Sequence, residues 1–164
     1  MAGSELPEQR AGILYVDTSA LLKLLVREAE STAIERELVQ WPSLATSIVT
    51  EVELPRAIAR AREDRPDGVI DGSLVLQGIM ASAAIIPLSN DIVLAARNVP
   101  PVHVGALDAI HIASALSLDK KLASVATYDN RMRDALDRAK VSVVAPSDGD
   151  GQQSSAQAPD TPQA

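Results

Sequence analysis

From Ile13 to Val144 the chain alternates short apolar runs with segments of helical period. Ile13-Leu14-Tyr15-Val16 reads as a β-strand that stops at Asp17, with Thr18 or Ser19 placed to cap a helix through Leu25. A second helix is predicted over Thr32–Gln40, with Ile34, Leu38 and Trp41 on one side. Ser43–Thr46 is a short strand, followed by a long helix from Ser47 or Thr50 to about Arg65. Another helix is expected over Asp71–Met80, a strand over Ala84–Pro87 and a helix over Asn90–Asn98. Gly105–Leu118 is helical and apolar nearly all round, which predicts burial. Leu122–Thr127 is a strand, Asn130–Ala139 a helix and Val141–Val144 a last strand. Strands alternating with helices predict a three-layer α/β/α sandwich on a short, mainly parallel sheet of four or five strands.

The ends do not share this pattern. Residues 1–12 form a polar, acidic lead that does not resemble a signal peptide. The stretch 147–164 is Gln, Ser, Ala, Pro, Asp and Gly, too polar to offset its ordering entropy, and is expected to be disordered. The packed domain is therefore expected over residues 13–146. The longest low-polarity stretch, Gly78–Leu88, contains Ser82 and Pro87 and is too short to cross a membrane. A cytoplasmic location is the expectation.

Composition narrows the chemistry. The 164 residues contain no cysteine, which excludes disulfides, thiolate metal sites and a cysteine nucleophile. Two histidines are too few for a multi-histidine metal site, so any metal must be held mainly by oxygen. Phenylalanine is absent and Trp41, Tyr15 and Tyr128 are the only aromatics, which argues against a base-stacking platform. Net charge is −7, but Asp148, Asp150 and Asp160 of the tail account for three of those charges, leaving −4.

Ligands of open parallel sheets bind beyond the carboxyl ends of the strands. Asp17 ends the first strand, and Asp129 follows the strand that ends at Thr127. Each also has a plainer role, as a turn residue and as the N-cap of the helix from Asn130. Asp108 lies in an almost wholly apolar helix, where an ionised carboxylate is costly without a compensating partner. Its plainer role is a first-turn charge that favours the helix dipole. His111, three residues on, shares its face and reads best as a hydrogen-bonded supporting residue. Glu51 and Glu53 are ~200° apart on a helix, so one of them at most faces a given site, and pattern does not choose. Glu53 also matches a capping box with Thr50, and Pro55 removes a helical bond to the Glu51 carbonyl. Acids that converge without a nucleophile have one economical use, the binding of divalent cations that activate water and steady a phosphoryl transition state. The phosphate-binding G-x-x-x-x-G-K-[ST] and G-x-G-x-x-G patterns and the G-x-S-x-G elbow are absent. Arg56, Arg60, Arg62, Lys120 and Lys121 can reach phosphates, although a solvated charged face is the plainer reading.

Four segments together resemble one family. Tyr15-Val16-Asp17-Thr18-Ser19-Ala20-Leu21, Glu53-Leu54-Pro55-Arg56-Ala57, Leu107-Asp108-Ala109-Ile110-His111-Ile112-Ala113 and Thr127-Tyr128-Asp129-Asn130-Arg131-Met132 resemble, in order and spacing, the motifs of PIN-domain ribonucleases. The compact form resembles VapC-type toxins of toxin–antitoxin pairs. The resemblance implies a PIN-like fold and a Mg2+- or Mn2+-dependent endoribonuclease. It implies an acidic site of Asp17, Glu53, Asp108 and Asp129, and so selects Glu53 over Glu51. Asp17 and Asp108 would be the strongest ligands, with Glu53 and Asp129 acting directly or through water. Thr18, Ser19 and Thr127 would position the metal shell or a phosphate. Hydrolysis in line would leave a 5′-phosphate and a 3′-hydroxyl. Homodimers, tRNA or ribosomal RNA as substrate, and a VapB-type antitoxin that lays a basic side chain among the acids are further implications.

Two other functions fit the layout less well. A non-catalytic PIN-like protein-binding module would be expected to have lost one of the four acids. A response-receiver or phosphotransferase domain needs an acidic neighbour for Asp17, where position 19 is Ser, and an aspartate ending the strand Ala84–Pro87, where none occurs before Asp91.

Overall fold

Along the first strand, β1 (Ile13–Val16), Leu14 and Val16 face one way and Tyr15 the other, and all three are buried. A strand covered on both faces must lie inside a sheet sandwiched by helices. The computed structural model has this architecture and describes residues 10–64, 67 and 73–147. The acidic lead before residue 10 and the tail after residue 147 lie outside the described residues, as does Asp71 at the predicted start of one helix.

The remaining strands are β2 (Leu44–Ser47), β3 (Ala84–Ile86), β4 (Leu122–Ala126) and β5 (Val143–Val144). The five form one sheet in the order β3-β2-β1-β4-β5, and every pair is parallel. Helices α1 (Thr18–Leu22), α2 (Ser31–Leu38), α3 (Thr50–Asp64), α4 (Ser73–Ser82), α5 (Asn90–Ala96), α6 (Ala106–Leu116) and α7 (Asn130–Arg138) connect them. Leu14, Val16, Leu21, Ile34, Leu38, Trp41 and Leu54 form the core on one face. Tyr15, Ala45, Ile112, Val125, Met132 and Leu136 form it on the other, where α6 and α7 pack. Each large apolar side chain so buried contributes about 1.5–3 kcal/mol. Arg10 anchors the chain ahead of β1 through an ion pair with Glu37 (2.9 Å) and a stack over Trp41.

Three local expectations are corrected. The residue that caps α1 is Asp17, not Thr18 or Ser19, because Asp17 holds the extended backbone of a cap and its carboxylate accepts the Ser19 N–H. The helix also ends at Leu22 rather than Leu25, giving way to tight turns. Helix α6 is not buried all round. Ala109, Ile112 and Ala113 face the core, whereas Leu107 and Leu116 are 46% and 41% exposed, since the sheet, α5 and α7 together leave part of the helix uncovered. Pro55 does not break α3, which runs through it. Pro55 and Glu51 are both exposed, so the freed Glu51 carbonyl is open to water.

Candidate active site

The strand order reverses at β1 and β4: the chain moves from β1 out to β3 on one side, then returns to lay β4 and β5 on the other. Adjacent connections leave these two strands in opposite directions, opening a crevice at their carboxyl ends. Asp17 lies there, its N–H bonded to the Ala126 carbonyl (2.9 Å). One carboxylate oxygen, Oδ2, accepts from Ser19 Oγ (2.6 Å), Ser19 N–H (3.2 Å) and Thr127 Oγ1 (2.9 Å). The other, Oδ1, lies 3.6 Å from His111 Nε2. Asp17 is thus both the turn residue and part of the cavity lining, with Oδ2 held by Ser19 and Thr127 and Oδ1 toward His111.

Glu53 enters from α3. Its Oε2 accepts from His111 Nε2 (2.7 Å) and Thr18 Oγ1 (2.7 Å), not from the Thr50 backbone, so the capping-box role is not the one it plays. Glu51 is exposed on the other side of the helix. Burial works to raise the Glu53 carboxyl, but the His111 and Thr18 hydrogen bonds and the charges of His111 and Arg60 outweigh it and hold the group below its usual range. His111 is buried behind Glu53, with Nδ1 against the Tyr15 hydroxyl (2.7 Å). Burial opposes the imidazolium. The Glu53 hydrogen bond and the charges of Asp17, Glu53 and Asp108 prevail, and the ring is held above the ordinary histidine range. In either state the Nε2 proton points at Glu53. The Tyr15 O–H donates to the neutral ring or its oxygen accepts from the charged one.

Asp108 and Asp129 face each other from α6 and α7. Asp129 Oδ1 caps α7 by accepting the Met132 N–H (2.9 Å), so the plainer role expected of it is real. Its Oδ2 lies 3.6 Å from the Arg131 guanidinium, as does Asp108 Oδ2. Burial and then the Asp129 charge push the Asp108 carboxyl up, with Asp17 adding to the effect and Arg131 and the Gly105 N–H opposing it. The Asp108 carboxylate folds back so closely over Gly105 that a Cβ there would lie 2.9 Å from Oδ2.

Asp17, Glu53, Asp108 and Asp129 therefore come from four different segments to line one cavity of about 560 Å³, together with Thr18 and Ser19. His111 and Thr127 stand behind it as supports. The donor set suits a hard divalent cation, being carboxylate oxygen throughout, with Asp108 raised by burial first and then by the neighbouring Asp129 and Asp17 charges. Among the described residues no three acidic or histidine side chains are already drawn together as a finished ligand set. Arg131 and His111 offset part of the negative charge. Asp91, the residue a phospho-accepting domain would have needed, is exposed in α5 and does not line the cavity.

Three partners escaped the sequence reading. Tyr15 lies in a strand whose pattern says nothing of its hydroxyl, which meets His111 only because β1 is set against α6. Thr50 links Thr46 (2.9 Å) to Thr18 (3.2 Å) beneath Glu53, a contact between distant segments that local pattern does not reveal. Arg131 had a signal, being the first base after Asp129, two residues on within the fourth motif.

The PIN domain family profile matches residues 14–136. Ribonuclease VapC47 of Mycobacterium tuberculosis is 35% identical over 124 residues, covering 73% of this chain and 87% of that protein. Ribonuclease VapC46 of the same organism is 33% identical over 135 residues, covering 82% and 98%. Among solved structures, the sarcin-ricin loop cleaving toxin VapC20 of Mycobacterium tuberculosis is similar with a TM-score of 0.56 at 18% identity, covering 74% of this chain and 94% of that one. A toxin–antitoxin complex from Klebsiella pneumoniae is similar with a TM-score of 0.52 at 18% identity, covering 80% and 96%. At that identity the two structures speak for the fold alone.

Proposed function

The chain belongs to the PIN-domain family, among the VapC ribonucleases, and on that premise we propose how its own residues serve the cleavage of RNA. It is an endoribonuclease toxin of a toxin–antitoxin system. In our reading the active centre is Asp17, Glu53, Asp108 and Asp129, and these four would hold Mg2+ or Mn2+. The cation, when bound, supplies charge neutralisation and activates water for in-line hydrolysis of a phosphodiester. The observation that carries the reading is the meeting of these four carboxylates in one cavity at the point where the strand order reverses.

The protein's own part is positioning and charge. Ser19 and Thr127 fix Asp17 through Oδ2 and so aim Oδ1. His111 and Thr18 keep Glu53 ionised and hold its carboxylate against the cavity wall. Helix α7 fixes Asp129 through its capping oxygen, leaving Oδ2 for the site. Arg131 stands where a cationic side chain of an antitoxin would compete. A VapB-type antitoxin covering the cavity, tRNA or ribosomal RNA as the cytoplasmic substrate, and a homodimer complete the proposal. So do the domain limits, with the nuclease over residues 13–146, a lead over 1–12 and a tail over 147–164. No helix among the described residues is long and apolar enough to cross a membrane.

The test is cleavage of total bacterial RNA by purified, antitoxin-free protein in Mg2+, in Mn2+ and in EDTA, beside Asp17→Asn. Discrete cuts that need metal and vanish in the variant are expected. Folded protein that cuts nothing under any of these conditions would leave a protein-binding module in place of the enzyme.

A further inference from the structure

We propose that Arg56 and Arg60 form a phosphate rail on α3 that holds the RNA strand beside the four carboxylates; this rests on the ribonuclease reading above. Glu53, Arg56 and Arg60 stand at positions i, i+3 and i+7 of one helix and so share a face. All three line the main cavity, whereas Arg62, on the opposite face of the same helix, does not. The helix rise puts Arg56 and Arg60 ~6 Å apart along the axis, running away from Glu53. That arrangement suits contacts to successive phosphates of a strand whose scissile bond lies at the acids.

Which cations neutralise the acids, and which do not, supports this. Arg10 pairs with Glu37, Lys23 with Glu28 and Glu30, and Arg131 with Asp108 and Asp129. Among the described residues Arg56 and Arg60 make no ion pair, as is also true of Arg62 and other surface cations, but these two alone do so in the cavity that holds the four carboxylates. If their task were to neutralise those acids, they would be expected to pair with them, but His111 and Arg131 make those contacts. Both arginines are exposed and offer the planar fork that suits phosphate. Arg60 is close enough for its charge to lower the Glu53 carboxyl. An acidic protein gains from such a local positive wall, since a polyanion must otherwise approach a net negative surface.

The experiment is fluorescence anisotropy with a labelled 12-nucleotide single-stranded RNA of random sequence, since phosphate contacts ignore sequence. It is run in Mg2+ across a salt series. Each full-length protein carries Asp17→Asn so that the RNA survives, with Arg56→Gln, Arg60→Gln, both, or Arg62→Gln added. Cleavage by the unmutated chain is followed alongside. Each cavity arginine should account for ~0.7 of the slope of log affinity against log salt, so the double variant should be flatter by about 1.4. Arg62→Gln should match the parent. In the active background the double variant should raise KM and leave kcat at saturating RNA. Equal slopes in parent and double variant, or an equal loss from Arg62→Gln, would overturn the rail while wild-type cleavage keeps the ribonuclease. If the unmutated chain neither cuts RNA nor its Asp17→Asn form binds it, the ribonuclease reading falls, and the rail with it.

Discussion

His111 Nε2 donates to Glu53 Oε2 at 2.7 Å, while the far side of the same ring meets the Tyr15 hydroxyl at 2.7 Å. A buried imidazole thereby connects a strand in the middle of the sheet to a carboxylate at the cavity wall. Replacing it with alanine removes one partner of the buried Tyr15 hydroxyl and leaves Glu53 held by Thr18 alone. His111→Ala should cost about 1–3 kcal/mol in urea unfolding and slow cleavage 10–100-fold, as loss of an outer-shell partner commonly does. A variant that unfolds more easily but cuts RNA at the wild-type rate would show that His111 serves the core alone.

Asp17 is held by three hydrogen bonds to one oxygen, which an asparagine carbonyl can also accept. Asn also caps helices as well as Asp does. Asp17→Asn should therefore keep its unfolding midpoint within about 1 kcal/mol of wild type while losing more than ~100-fold in cleavage, beyond the loss typical of outer-shell partners. Circular dichroism during urea unfolding, paired with the RNA assay, separates the two effects. Residual activity near wild type would remove Asp17 from the centre.

The layers and the order of the elements were legible because each strand or helix carries its own period, and the all-parallel sheet follows from their alternation. The four acids were legible as a set through the resemblance, and two of them through strand ends alone. The choice of Glu53 over Glu51 was not available from local pattern. It depends on which face of α3 turns toward His111, a contact 58 residues away in sequence. The roles of Tyr15 and Thr50 were hidden for the same reason, since their partners lie on other elements. Asp17 was misplaced by one step as a non-cap because serine and threonine followed it directly, and all three are good caps.

Gly105 tests the position of Asp108 without touching its charge. Its backbone (φ −61°) suits any residue, so the glycine is needed only for the close approach of the carboxylate. Gly105→Ala should push Asp108 Oδ2 aside, leave stability near wild type and cut kcat by ~10-fold or more, since small misplacements at a reacting centre are costly. Unchanged kcat would mean that the Asp108 carboxylate can move freely without consequence.

Asp129 Oδ1 caps α7 while the proposed site role falls to Oδ2, and two substitutions divide the cap from that role. Asp129→Asn keeps an acceptor for the Met132 N–H and removes the charge, so it should fold like wild type and fail to cleave. Asp129→Ala loses both and should also unfold about 1 kcal/mol more easily. If both variants show the same stability, the cap contributes nothing measurable.

Metal should stabilise the fold itself. The Asp108 carboxyl is pushed up first by burial and then by the negative charge of Asp129, a repulsion that a divalent cation relieves and Arg131 relieves only in part. A ligand that binds the native state alone contributes RT ln(1 + [L]/Kd), about 1.4 kcal/mol at ten times Kd, or about 3–6 °C in Tm for a domain of this size. Wild-type protein should show that rise in Mn2+ over EDTA by thermal unfolding. Asp108→Asn removes a charge from the cluster, so in EDTA it should melt above wild type, and added Mn2+ should move it little. A full metal shift in Asp108→Asn would place the cation away from this aspartate, and no shift in wild type would mean the four carboxylates do not gather a cation before RNA arrives.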